Sequence, residues 1–246
     1  MHSLLLCCLI LVCLRIDTAK LQKAPQYPLS VAKTMEFQVS VWKPSSFTPQ
    51  PLIEIYKSKV RVMRPDSLRI ELLTYNEQRR QTDNTITFLG LPPPNLIISN
   101  SKTQLWYTKW NNNKEMYPGV PKLENVFNEH ACELLHIPDL LFSKDPIREN
   151  ELQYQGVKAF EGGRGHCYLM DLTKQKQSIR FYLYLGVKDR LPIMLSEQAL
   201  DRKGKWLETF REYYSNWRIN LTIPQEAFAP DVPMISEPKP TAQNKP

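Results

Sequence analysis

Lys59 to Leu73, KVRVMRPDSLRIELL, is the stretch whose reading decides the fold. Val60 and Val62 alternate with Arg61 and Met63. Arg64-Pro65-Asp66-Ser67 then carries turn chemistry, because proline fixes φ and the Asp and Ser side chains bond nearby backbone N–H groups. Alternation resumes beyond it, with Leu68, Ile70 and Leu72 on one side and Arg69 and Glu71 on the other. A period of two on both sides of a turn predicts a half-buried antiparallel hairpin.

The same period recurs outward from this hairpin. Glu36 to Trp42 places Phe37, Val39 and Val41 on one face and Glu36, Gln38 and Ser40 on the other. Lys43 to Pro51 is a Pro-, Ser- and Thr-rich loop. Arg79 to Phe88 predicts a hairpin turning at Asp83-Asn84, and Leu91-Pro92-Pro93-Pro94 ends any strand. Leu96 to Tyr117 turns at Asn100-Ser101 and again at Asn111-Asn112-Asn113, with Leu105 and Tyr107 opposed to Trp106 and Thr108. Leu123, Val126, Phe127, Ala131, Leu134 and Leu135 change to helical spacing, and Pro138 closes that helix. Asp139 to Phe142 predicts a short second helix ending near Asp145-Pro146. From Leu152 strands return: Glu161 to Gly165 reads as a turn, His166 to Leu172 as a strand. Ser178 to Leu185 sets Ile179, Phe181, Leu183 and Leu185 against Arg180, Tyr182 and Tyr184. Ile193 and Leu195 continue the pattern, and Trp206 to Trp217 adds one more strand. Beyond Ile223 the composition turns Pro-, Ser- and Lys-rich, which predicts fraying.

A chain of 246 residues with 42% hydrophobic content can bury one sizeable core. Its formal charge of +7 is spread through alternating strands rather than gathered in a run, so it reads as a solvated face. Leu4 to Leu14 is an apolar run too short to span a bilayer and of the length of a signal-peptide core. It predicts export to the periplasm or beyond, with cleavage after Ala19. A lipid anchor is not expected, because Cys13 follows Val12 and Cys8 follows Cys7 where a lipobox wants a small residue. Cleavage leaves Cys132 and Cys167, for which a disulfide and two buried thiols both remain open.

Several phrases, in a shared order, resemble a family of predicted periplasmic proteins grouped with the LolA/LolB-like lipoprotein and lipid carriers. They are Arg64-Pro65-Asp66-Ser67-Leu68-Arg69, the hairpin Asn100 to Tyr117, Ile137 to Phe142, Gly165 to Leu169, Tyr214 to Trp217, and Ile223-Pro224-Gln225-Glu226-Ala227-Phe228. The resemblance runs from about Val60 to Pro230 of this sequence. Asp83-Asn84 and Asn100-Ser101 stand where that group has Asp-Gly turns, and residues 20–35 show no opening helix.

The resemblance implies a mainly β (α+β) fold, a strongly curved antiparallel half-barrel with a helical lid inserted mid-chain. The implied organisation is a leader at 1–19, a lead-in at 20–35, the half-barrel at 36–230 with its insertion at 123–146, and a Pro-rich tail at 231–246. Phe37, Val39, Val41, Val60, Val62, Leu68, Ile70, Leu72, Phe181 and Leu183 would line the concave face. Leu123, Val126, Phe127, Leu134, Leu140 and Phe142 would form the lid. The implied function is carriage of a hydrophobic ligand, either lipid acyl chains or an acylated protein, with an anionic membrane or an acidic envelope partner as docking surface. The competing reading is a cell-envelope interaction protein with the same fold and a filled core.

Chemistry is not legible elsewhere. No Gly-x-Ser-x-Gly elbow occurs. His130, Cys132 and His136 do not share a helix face, so no metal site is expected. The Gly-rich segment Glu161 to His166 leads into a strand rather than a helix N-terminus. Trp106, Lys109 and Trp110 suit a cavity wall or rim better than a nucleic-acid platform in an exported chain. The expectation is a monomeric, non-enzymatic protein with no catalytic residues, cofactor or metal.

Overall fold

Alternating β-branched, aromatic and charged residues give eleven strands. The computed structural model describes residues 28–44, 52–76, 94–108, 113–118, 152–173 and 178–229. The strands are β1 (Thr34–Pro44), β2 (Leu52–Met63), β3 (Ser67–Tyr75), β4 (Leu96–Ser99), β5 (Thr103–Thr108) and β6 (Asn113–Pro118), then β7 (Gln153–Phe160), β8 (Gly163–Asp171), β9 (Ile179–Gly186), β10 (Pro192–Leu200) and β11 (Trp206–Ile219). They form one sheet in the order β6-β5-β4-β3-β2-β1-β11-β10-β9-β8-β7. The central hairpin forms as its pattern predicts: Val62 faces Leu68 and Val60 faces Ile70 across β2 and β3.

Two meanders meet in the middle. The first strand pairs with the last, antiparallel, along Met35 to Trp42. The edge strands are β6 and β7, consecutive in sequence but at opposite ends of the strand order. Six of the ten ladders contain a register shift. Each shift of this kind bends its strand and tightens the local twist, and the sheet is accordingly curled and open.

Burial follows the period of two. Along β2, Tyr56, Ser58, Val60 and Val62 are buried while Lys57, Lys59, Arg61 and Met63 are half-buried. One core cluster covers the inner face, drawing on β1, β2, β3, β4, β8, β9, β10 and β11. Leu29, in a short 3₁₀ turn (Pro28–Ser30), and Ala32 cap this core beside β1. The Arg64 guanidinium donates to the Leu29 carbonyl at 3.1 Å.

Two details differ from the sequence reading. The turn joining β7 and β8 is only Glu161-Gly162, and Gly163 and Gly165 already belong to β8. Gly162 has φ +101°, the left-handed region that glycine enters freely. Gly165 sits where a Cβ would lie 2.8 Å from the Leu185 carbonyl oxygen. The chain also stays packed beyond Ile223: a 3₁₀ turn (Gln225–Phe228) buries Phe228. Arg69 donates to the Ala227 carbonyl at 3.2 Å, and the Asn100 amide to that of Phe228 at 3.5 Å. Asn220 holds the start of this return, accepting from the Lys33 N–H at 2.9 Å.

Candidate ligand-binding face

Cross-strand register puts all ten expected wall residues on the inner face. Val39 lies between Ser58 and Tyr214, Val60 between Phe37 and Ile70, and Leu183 between Tyr168 and Leu195. Phe37, Val39, Val41, Val60, Val62, Leu68, Ile70 and Leu183 are buried in a single cluster, with Leu72 and Phe181 half-buried against it. Phe37 stacks on Trp217 with ring centroids 4.3 Å apart, and Tyr214 tilts against Phe37 at 6.3 Å. The expected lid residues Leu123, Val126, Phe127, Leu134, Leu140 and Phe142 lie outside the described residues. So does Cys132. Cys167 is a free thiol, buried on the outer side of β8 and pushed above the usual thiol range by burial.

Sequence reading missed the polar members of this face. Ser58, Ser99, Gln104, His166 and Glu212 fall in phase with the apolar residues and are all buried. The Tyr214 hydroxyl donates to Glu212 Oε2. His166 Nδ1 lies 2.9 Å from the Tyr154 hydroxyl, while its Nε2 has no partner. Burial first, and then the Arg190 charge, lowers the His166 pKa, favouring neutral imidazole. Ser58 Oγ, Ser99 Oγ and both amide atoms of Gln104 make no hydrogen bond. A buried polar group left unpaired costs about 1–3 kcal/mol. A sequence signal was available for Ser58 alone, a polar residue at the inward phase of the alternation Tyr56-Lys57-Ser58-Lys59-Val60.

The outer face is charged and aromatic. Glu36 receives Lys59 at 3.0 Å, Arg61 at 2.9 Å and Arg218 at 3.1 Å. Burial alone opposes its ionisation, but hydrogen bonds and charge from Arg61 and Lys59 win and lower its pKa to about 2. Farther along, Arg211 pairs with Glu161 and Glu208. There Phe160, Tyr182, Tyr184, Met194, Ser196 and Arg211 line a shallow cleft of about 330 Å³, on the opposite face from the expected wall. Arg180 lies over the Trp206 ring at 4.1 Å. Near β4, Leu96, Ile98 and Leu105, with Tyr107 packed against them, form a small second cluster on this face. Among the described residues, no three His, Cys, Asp or Glu side chains gather as a metal-ligating group. Nor is any helix among them long and apolar enough to cross a membrane.

No family model matches this chain, and no curated protein matches it. Solved structures do. An uncharacterised conserved protein from Thermus thermophilus matches 82% of this chain and 87% of its own, at 12% identity and TM-score 0.44. A LolA superfamily protein from Nitrosomonas europaea matches 82% and 92%, at 8% identity and TM-score 0.35. A putative outer membrane lipoprotein-sorting protein domain from Vibrio parahaemolyticus matches 79% and 88%, at 8% identity and TM-score 0.35.

The chain is similar to LolA superfamily proteins. At these identities and TM-scores the likeness says nothing of function, and the fold assignment rests on strand order, register and burial. The sheet described above has an apolar inner face, and its charged outer face is separate from it.

Proposed function

We propose that this chain is an exported, non-enzymatic carrier that holds the alkyl chain of a lipid or an acylated protein against the inner face of its curled sheet. The supporting observation is the gathering of ten apolar side chains on one face of an open sheet. Open curled sheets of this kind enclose space at their mouth, and apolar hollows with a few placed polar groups are what small hydrophobic ligands occupy. Burying about 500 Å² of alkyl surface contributes roughly 12 kcal/mol, which after ordering costs of about 4 kcal/mol leaves the roughly 8 kcal/mol of micromolar binding. In this reading the leader at 1–19 directs export, the insertion at 123–146 closes the hollow, and residues 231–246 form a tail. Half-buried Lys57, Lys59 and Arg61 on the outside of β2 serve docking to an anionic membrane or acidic partner. The carrier works as a monomer, without cofactor, metal or nucleic acid.

Two measurements test this. Mass spectrometry of solvent-extracted protein should find co-purified lipid. A fluorescent fatty-acid probe should bind, and Phe181→Glu, which places a charge on the half-buried rim of the wall, should reduce uptake severalfold. Protein that arrives lipid-free and takes up no probe at any concentration refutes the carrier.

A second reading has its own observation. The Phe37–Trp217 stack and the complete burial of Val39, Val60 and Ile70 are also what a solid core displays. A cell-envelope interaction protein with a filled inner face would bind no alkyl probe and would capture a protein partner through its outer surface instead.

A further inference from the structure

Ser99 and Gln104 stand directly opposite each other on β4 and β5. Ser99 also faces Leu68 on β3, which fixes the pair to the inner face, and Gln104 faces Tyr117 on β6. Both are 0% exposed. Ser99 Oγ, Gln104 Nε2 and Gln104 Oε1 have no hydrogen-bond partner. Leucine at 104 would fill a similar volume with no polar atom to satisfy. Two adjacent orphans at the end of an otherwise apolar row, Met35-Val62-Leu68, are the arrangement that fixes a ligand's orientation in an apolar site.

We infer that Gln104 and Ser99 form the head-group subsite of the inner face, selecting an alkyl chain that ends in a neutral group with both a carbonyl or hydroxyl acceptor and an N–H or O–H donor. This rests on the carrier reading. The inventory of hydrogen bonds dictates the class. The serine hydroxyl and the glutamine NH₂ can donate to one oxygen, because Cβ atoms directly across a ladder lie about 4.5–5.5 Å apart. The glutamine oxygen accepts only, so the same head group must also donate. Charge is disfavoured: Glu115, in register with Trp106 on β6, shares this side of the edge strand and repels a carboxylate. Acyl amides, as on an N-acylated protein, and acylglycerol hydroxyls both meet the requirement. Simple esters and hydrocarbons do not.

The test is displacement of a fluorescent fatty-acid probe from the full chain by three ligands of equal chain length. These are N-methyldodecanamide (amide donor and acceptor), monolaurin (hydroxyl donor and acceptor) and methyl laurate (acceptor only). At least one of the first two should compete about tenfold better than methyl laurate, equivalent to about 1.4 kcal/mol. The stronger of them tells the amide source from the glycerol source. Gln104→Leu should erase the advantage, and Ser99→Ala should weaken all three ligands, whose common oxygen it serves. Gln104→Met carries the comparison if Gln104→Leu does not fold. Equal competition by all three ligands, or an advantage that survives substitution of Gln104, overturns the subsite and leaves the carrier standing. Absence of any alkyl binding, the probe included, overturns both.

Discussion

Replacing Glu36 with Gln should destabilise the protein at neutral pH and do so less and less as the pH falls. Glu36 lies on β1 and draws together Lys59 and Arg61 of β2 and Arg218 of β11. It therefore clips the ladder between the first strand and the last. Its folded pKa is lowered from 4.5 to about 2, a difference equivalent to about 3 kcal/mol at full weight. Arg218 is 65% exposed and Lys59 26%, and screening at such sites reduces the contribution to about 1–2 kcal/mol. For a chain of this size that corresponds to a melting temperature lower by about 2–8 °C. The sign follows from linkage. A carboxylate whose pKa is depressed by folding contributes fully above its unfolded value, near 4.5, and loses that contribution as pH falls toward about 2. Thermal unfolding of wild type and Glu36→Gln, followed by tryptophan fluorescence from pH 7 to pH 3, should show the gap narrowing below pH 4.5. A gap that stays constant over the range would mean that Glu36 acts through packing and that the ion-pair account is wrong.

Phe228→Ala should lower stability by about 3–5 kcal/mol, the usual cost of emptying a large buried aromatic site, because Phe228 is 1% exposed. An unchanged melting curve would show that the 3₁₀ turn does not dock in solution. Gly165→Ala should cost about 1–3 kcal/mol through overpacking, since the new methyl would meet the Leu185 carbonyl oxygen at 2.8 Å and Ile193 Cδ1 at 2.9 Å. Urea titration reads this directly, and a neutral result would place β8 and β9 farther apart than described.

The two faces of most strands were legible because burial imposes a period of two that no loop imitates. β1, β2 and β9 display it with β-branched and aromatic residues on the inward phase. The Arg64 to Ser67 turn and the Asn100-Ser101 turn were legible for chemical reasons, since each offers side chains that bond backbone N–H groups. Three things were not. Strand order was hidden, because the partners across β1 and β11, such as Glu36 and Arg218, are 182 residues apart and local pattern carries no trace of them. The docked end of the chain was hidden by its composition: past Ile223 the residues predict fraying, although the phrase Ile223 to Phe228 counted with the half-barrel, and only Phe228 hints at burial. Most polar points of the inner face were hidden because Ser99, Gln104 and Glu212 look like ordinary outward residues until register assigns them a side. Glycine misled in a smaller way. Gly163 and Gly165 read as turn residues, yet Gly165 is there to admit a neighbouring carbonyl, which is a packing need and not a flexibility need.

The pairing of β1 with β11 has a consequence for how the molecule comes into being. While the polypeptide is still being delivered from its N-terminus, β1 can find β2 but its other edge stays bare, since the strand that covers it is the last to arrive. The sheet is finished only when residue 219 is free, so maturation waits on the whole length.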